Sequence, residues 1–314
     1  MTMTYKYTRL LVLAIMLGGW MASCKKVSPN IFNMFDVQLD LHTDGPNKLS
    51  EYTEVNPGDS VVIDFTIHSP STDMYMICVL KVGSNTPFLK IPIDDPAKRR
   101  TFSNVVSLKA EQAGETSYRV WALDKDGVYL GDGYKKITMY VRSDFNHLSN
   151  RNMYFPDSAD NSLNCYLSLT NASTFNYTNG AEHSANIDLG IYRIPVFNSN
   201  GSFSNWDHHI YSLSADPLPF TLYDISDWTR RGTLFSSPTG NANSFRDLHK
   251  TGIAIETEAK KKTINLKEVS FGKDANRFVY FLTPEGKYGV LMINSFTYDY
   301  ESRPIANVSI KIRQ

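Results

Sequence analysis

The sequence predicts an all-β protein: an N-terminal immunoglobulin- or fibronectin-like sandwich followed by a second, jelly-roll-like β-sandwich. Three observations carry that reading. Aromatic residues are abundant, with 18 Tyr and 17 Phe, and such side chains suit the pleated, half-buried surface of strands. Short stretches alternate apolar and polar residues, as where Val61, Ile63, Phe65 and Ile67 interleave with Val62, Asp64, Thr66 and His68, which is the period of a strand with one buried face. Clusters of Asn, Pro, Gly and Asp punctuate these stretches, and long Ala/Leu/Glu/Lys runs of the helical kind are absent.

Composition sets the outer bounds. The chain has 314 residues, enough for two domains that each bury a core. Apolar residues make up 42% and charged residues 20%, which argues against disorder and against a multi-spanning membrane protein. Lys plus Arg and Asp plus Glu both total 32, so no net field attracts nucleic acid, and no nucleic-acid partner is expected.

In chain order, the first element is an opening segment. Lys6 and Arg9 precede an apolar run from Leu10 to Leu17, and Gly18 and Gly19 break it before Ala22, Ser23 and Cys24. The run is too short to cross a bilayer as a helix and suits a signal peptide over residues 1–23. Ala22, Ser23 and Cys24 resemble the bacterial lipobox, although Met21 stands where Leu is usual. That resemblance implies cleavage before Cys24 and a diacylglycerol on its thiol; the alternative is a plain secretory signal followed by a chance Cys. Each buried acyl methylene contributes about 0.8 kcal/mol, so two or three chains anchor a protein without a spanning helix. Lys25 occupies the position where an inner-membrane retention signal would place Asp. An outer-membrane anchor is therefore expected, with the cell surface favoured over the periplasmic face, although Lys25 and Lys26 replace the acidic patch of many surface-exported lipoproteins.

After a tether over 24–33, residues 34–143 are expected to form the first sandwich. Its strand candidates are MFDVQLDL, the run through Val61, MYMICVLKV, TFSNVVSLK, TSYRVWAL and KKITMYV, with a turn at Asn56-Pro57-Gly58-Asp59. About seven strands in this span match an immunoglobulin-like count, and Gly114 with Tyr118 resembles the tyrosine corner of that class. The polar stretch RSDFNHLSN is expected to link to a second domain over 150–314, with strands in NCYLSLT, ANIDLGIYRI, RFVYFLT, YGVLMINSF and NVSIKIRQ. Pro284-Glu285-Gly286-Lys287 reads as a hairpin connection. FNSNGSFSNWDHH and FSSPTGNANS read as long loops, and SFRDLHK as a short helix. Cys78 and Cys165 lie in apolar strands of different domains, where two buried free thiols are expected rather than a disulfide.

The stretches STFNYTNGAEHSANIDLGIYR, DWTRRGTLF and FVYFLTPEGKYGVLMINSFTY, followed by ANVSIKIRQ, resemble a group of two-domain Bacteroidetes lipoproteins. The resemblance covers most of the mature chain, and its motifs are turns and strands. It implies an outer-membrane lipoprotein near polysaccharide-uptake systems and carries over no catalytic residue.

Each piece of candidate chemistry has a plainer counterpart. Asp124 to Gly133 invites a calcium reading, but Gly127 arrives at the fourth position and no Glu follows, so a hairpin turn is favoured. Trp206, Asp207, His208 and His209 form the densest polar-aromatic cluster. Adjacent histidines on a strand face opposite ways and cannot share one metal. A sugar platform is the better reading, because an exposed Trp offers a flat apolar face and nearby Asp and Asn bond hydroxyls. The candidate ligand-binding residues are Trp206, Asp207, His208, Tyr211 and Trp228, with core packing of both tryptophans as the competing reading. The runs AKRR and AKKK read as solvated turns. Two triplets, Asp59-Ser60-Val61 and Asp157-Ser158-Ala159, resemble O-glycosylation sites of Bacteroidetes envelopes. No nucleophile elbow, HExxH or phosphate loop is present, and no catalytic residue, metal or cofactor is assigned. The leading expectation is a non-catalytic lipid-anchored envelope protein that binds a glycan or assists a polysaccharide-uptake complex. An adhesin or assembly lipoprotein acting through an envelope protein partner comes second, and a hydrolase third.

Overall fold

The computed structural model describes residues 37–314. The signal peptide over 1–23, lipidation of Cys24 and the tether over 24–33 lie outside the described residues.

The chain is all-β, and its strands pack as sandwiches. In order, the strands are β1 (Gln38–Leu41), β2 (Tyr52–Val55), β3 (Ser60–His68), β4 (Met76–Lys81), β5 (Leu89–Pro92), β6 (Thr101–Lys109), β7 (Gly114–Leu123), β8 (Tyr129–Gly131), β9 (Ile137–Val141) and β10 (Phe145–Tyr154). They continue as β11 (Tyr166–Leu167), β12 (Thr174–Phe175), β13 (Leu189–Phe197), β14 (Phe203–Ser212), β15 (Leu234–Phe235), β16 (Glu268–Gly272), β17 (Arg277–Leu282), β18 (Tyr288–Tyr298) and β19 (Pro304–Arg313). Among the described residues, three short α-helices interrupt them, α1 (Tyr177–His183), α2 (Ala242–Leu248) and α3 (Gly252–Ala259). No helix among the described residues is long and apolar enough to cross a membrane.

Two compact units divide the chain. Of the described residues, one comprises 37–40, Phe65–Asn104 and Tyr118–Lys136; the other comprises Leu41–Asp64, Val105–Ser117 and Ile137–Gln314. Strand pairing sorts the described chain into four sheets, and none of them mixes strands β1–β9 with strands β10–β19.

Strands β1–β9 form a three-stranded sheet, β1-β3-β6, and a six-stranded sheet, β2-β9-β7-β4-β5 with β8 on β7. The chain passes from β3 to the other sheet for β4 and β5, returns for β6 and leaves again for β7, the connectivity of a Greek-key sandwich. Sequence periodicity explains the burial: along β3, Val61, Ile63, Phe65 and Ile67 are all at or below 1% exposure, and their alternating neighbours are not. Asn56–Asp59 forms the expected turn, with the Asp59 amide donating to Asn56 O at 3.2 Å and Gly58 at φ 84°. Asp124 accepts the amides of Asp126 and Val128 through Oδ1, each at 2.8 Å, so this loop is a side-chain-braced turn between β7 and β8. Tyr118 packs edge-on against Phe88 at 5.9 Å. Among the described residues that ring contact, rather than a corner bond from its hydroxyl to the chain, is what holds it.

Strands β10–β19 form two five-stranded sheets, β10-β19-β18-β17-β15 and β12-β11-β13-β14-β16. One apolar core is common to both, with Val279, Phe281, Leu291, Ile293, Val308 and Ile310 from the first sheet and Leu167, Leu189, Ile191, Ile210, Val269 and Phe271 from the second. Cys165 lies in this core and Cys78 lies buried on β4, both as free thiols. Burial pushes the Cys165 pKa up to about 12. The 283–287 connection is the expected hairpin, closed by the Thr283 amide on Lys287 O at 3.0 Å, with Gly286 at φ 80°.

Three local expectations are corrected. RSDFNHLSN is no linker, because its residues from Phe145 onward start β10, which pairs with β19 on both sides of a bulge between Leu148 and Arg151. β10 is an edge strand with consecutive residues exposed, Asn146–His147 and Ser149–Asn152, which is why it reads as polar. FNSNGSFSNWDHH is no long loop either. It is the tip and second strand of the β13–β14 hairpin, turned by the Asn198 amide on Ser202 O at 2.8 Å and the Gly201 amide on Asn198 O at 2.9 Å. FSSPTGNANS runs beside β17, with Ser236 and Thr239 bonded to Tyr280 and Phe278, before entering α2. The Phe278 ring leaves no room for a Cβ at Gly240, whose φ is 58°.

Helices α2 and α3 cover the other face of the first sheet, where Phe245 and Ala259 meet Phe278, Tyr280, Val290 and Met292. Asn241 caps α2 and Thr251 caps α3. The Asp144 carboxylate also accepts the Gly252 and Ile253 amides at 2.6 and 3.0 Å, a charge placed at the positive end of α3. Lys311 donates from a buried position to the carbonyls of Phe245 and His249 at 3.0 and 2.9 Å, closing the end of α2. Burial draws its pKa down to about 8.

A buried carboxylate fixes the second sheet. Asp188 is wholly buried and accepts the Leu169 amide at 2.8 Å, the Thr233 hydroxyl at 2.8 Å and Arg231 Nε at 2.9 Å. Arg231 reaches on to Glu285 in the 283–287 hairpin at 2.7 Å.

Candidate functional site

The strand period decides which members of the Trp206 cluster act together. On β14, Trp206 and His208 point to one face and Asp207, His209 and Tyr211 to the other. The sequence-predicted set therefore does not converge on one site.

The first face opens into a cleft of about 270 Å³. One wall comes from the second sheet and its margins, through Arg193, Phe203, Asn205, Trp206, His208 and Lys273. The facing wall comes from the first sheet, chiefly Phe155, Phe296, Tyr298 and Pro304. The β13–β14 pairing runs well past the last β14–β16 partner, Gly272 opposite His208. The end of the hairpin is thus free of a third strand on the β16 side and leaves Phe197 and Phe203 at 58% and 50% exposure.

Within the cleft, aromatic surfaces are layered. The His208 ring stacks on Phe296 with centroids 3.8 Å apart and an 11° tilt, and Phe155 lies 5.2 Å from the same imidazole. His208 Nδ1 is 2.9 Å from Gly272 O, so it is the donor of that bond. Burial lowers the His208 pKa, which keeps the ring neutral and suited to stacking. Trp206 is half-buried, with Phe203 at 5.5 Å and the Arg193 guanidinium 3.9 Å from its ring centre. Arg193 and Trp206 are diagonal neighbours across the ladder, since Arg193 pairs with His208 and Pro195 with Trp206.

The opposite face of β14 is a closed polar network. Asp207 accepts the Ser270 hydroxyl at 2.5 Å. His209 places Nδ1 3.0 Å from Glu268 and Nε2 3.2 Å from Asp207, the latter without a hydrogen-bond angle. Tyr192 donates its hydroxyl to Glu268 and stacks on both His209 and Phe220. Burial pushes the Tyr192 pKa up, with Glu268 adding to it. The two carboxylates are thereby engaged by protein groups.

Tyr211 and Trp228 are core residues, correcting their placement in a ligand site. Tyr211 is 2% exposed and fills the space above Gly190, where its ring leaves no room for a Cβ. Trp228 is 6% exposed, packed on Tyr166 at 4.9 Å and Tyr177 at 6.0 Å, with its ring over Gly180 of α1. Neither has an aromatic face left for a ligand. Of the five candidates, the cleft keeps Trp206 and His208. Sequence reading missed Arg193 on β13, Phe296 and Tyr298 on β18, and Phe155 and Lys273 just past the ends of β10 and β16, segments far apart in the sequence.

The chain matches no protein-family model, and no curated protein is significantly similar to it.

Proposed function

We propose that this is a non-catalytic, lipid-anchored envelope protein whose C-terminal cleft binds a saccharide. The observation that carries the reading is the cleft itself, where an indole, a stacked imidazole–phenyl pair and a phenol surround a small cavity beside the Asn205 amide. Apolar ring faces with a few directed polar groups are what a sugar needs, one face of it C–H and its rim hydroxyl. The volume sits at the small end for ligand sites and suits one ring of a longer chain. The cleft lining includes no Asp or Glu among the described residues, so this cleft does not present the carboxylate pair that glycosidases use.

The anchor rests on the sequence from Lys6 to Lys26, with Cys24 as the acylated residue and the outer membrane as destination. The test is paired: metabolic palmitate labelling of the protein and its Cys24→Ala variant, and glycan-array screening of the purified protein. Labelling that survives Cys24→Ala would contradict the anchor, and an array without a positive glycan would contradict the saccharide.

A second reading, adhesion or assembly through a protein partner, is favoured by one observation. Ile194, Val196, Phe197 and Phe203 are all exposed on the free end of the β13–β14 hairpin, and clustered exposed apolar groups of this kind mark interaction surfaces. Co-purification of one stable partner, lost on Phe197→Ser with Phe203→Ser, would support it over the saccharide reading.

A further inference from the structure

The cleft has a sign. Arg193 and Lys273 both line it, and none of its lining residues is acidic. Among the described residues neither Arg193 nor Lys273 makes an ion pair with a carboxylate; Arg193 instead lies over Trp206 and places Nη1 3.5 Å from the Tyr298 hydroxyl. The acids nearest in sequence are either occupied or outside. Asp207 is on the other face of β14 and is held by Ser270, Asp299 and Glu301 are both held by Arg303, and Asp274 is exposed outside the lining.

Arg193 is placed for recognition rather than for solvation. Its guanidinium is held over an indole, which restricts the long side chain before any ligand arrives, and a guanidinium presents paired N–H donors that match a carboxylate. Lys273 adds a second positive charge at the exposed rim, where charge governs attraction and discrimination. Resting on the saccharide reading above, we infer that the ligand is an acidic glycan, with a uronate carboxylate set between Arg193 and Lys273 and its ring against the aromatic lining of the cleft.

Affinity electrophoresis tests this with polygalacturonate and alginate as the probes, and fully methyl-esterified polygalacturonate as the same backbone without charge. The wild-type protein is expected to bind a uronate polymer at least about tenfold more tightly than the ester, the scale of one charge-assisted hydrogen bond, and to weaken as salt rises. Lys273→Gln, an exposed change that spares the fold, and Arg193→Gln should each erase most of that preference. Equal binding of acid and ester, or a preference that both variants retain, overturns the acidic ligand and leaves the saccharide reading standing. Binding to neither the uronates nor the ester overturns both.

Discussion

The Arg193 guanidinium lies 3.9 Å from the centre of the Trp206 ring, held there by the diagonal register of β13 and β14. A cation over an indole at a partly exposed site contributes about 0.5–1 kcal/mol. Arg193→Ala and Trp206→Ala should therefore couple by about that amount in a double-mutant cycle read by urea denaturation. Strict additivity would show that the two side chains are neighbours without interaction.

Trp228 behaves oppositely, because it is built into the aromatic packing of Tyr166, Tyr177 and Gly180. Truncating a buried Trp costs about 3–5 kcal/mol, so Trp228→Ala should lower the thermal midpoint by many degrees. The milder Trp228→Phe should stay folded and keep any ligand affinity. A Trp228→Ala protein as stable as the wild type would refute its burial.

Asp188 depends on Arg231. Removing one partner of a buried pair leaves a desolvated charge and costs about 3–5 kcal/mol, so Arg231→Met should destabilise strongly. Asp188→Asn with Arg231→Met should recover part of the loss, because no lone charge remains. Denaturant midpoints of the three variants check this, and a double variant worse than Arg231→Met alone would contradict it.

The fold should also weaken in mild acid through His249. This imidazole is wholly buried, with Nδ1 3.1 Å from Phe245 O and Nε2 2.9 Å from the Tyr280 hydroxyl. The Phe245 carbonyl requires a proton on Nδ1, the Tyr280 hydroxyl can serve Nε2 with or without one, and burial, which disfavours the charged ring, draws the pKa down to about 4. A folded pKa below the ordinary value means that the contribution is complete above pH 6.5. It is lost as pH falls toward 4, and amounts to about 3 kcal/mol. Glu285 adds a lower window: its bond from Arg231 brings its pKa to about 2, so its contribution fades between pH 4.5 and 2. Urea midpoints measured from pH 7 to 4 should fall in the wild type and fall less in His249→Gln. Parallel curves would contradict the assignment.

How much of this was legible in the sequence follows from what each residue faces. β3 could be read because one of its faces is wholly apolar, and the turns at Asn56–Asp59 and Pro284–Lys287 because their backbones require those residue types. β10 and the far half of the β13–β14 hairpin were hidden, since edge positions and free ends expose side chains on both faces and so lose the alternating signal. Trp206 and Trp228 have similar neighbours in sequence, and only the fold separates them: one lines a cleft and the other is enclosed by Tyr166 and Tyr177. The rest of the cleft was out of reach because Arg193, Lys273 and Tyr298 are brought together by sheet packing alone.

The most direct test of the account is affinity electrophoresis of wild-type, Trp206→Ala and Trp228→Phe proteins through gels carrying a panel of neutral and acidic polysaccharides. Retardation of the wild type by at least one polysaccharide is expected, unchanged in Trp228→Phe and reduced at least about tenfold in affinity in a folded Trp206→Ala, the scale of one lost aromatic contact. Retardation of Trp206→Ala equal to that of the wild type would contradict it.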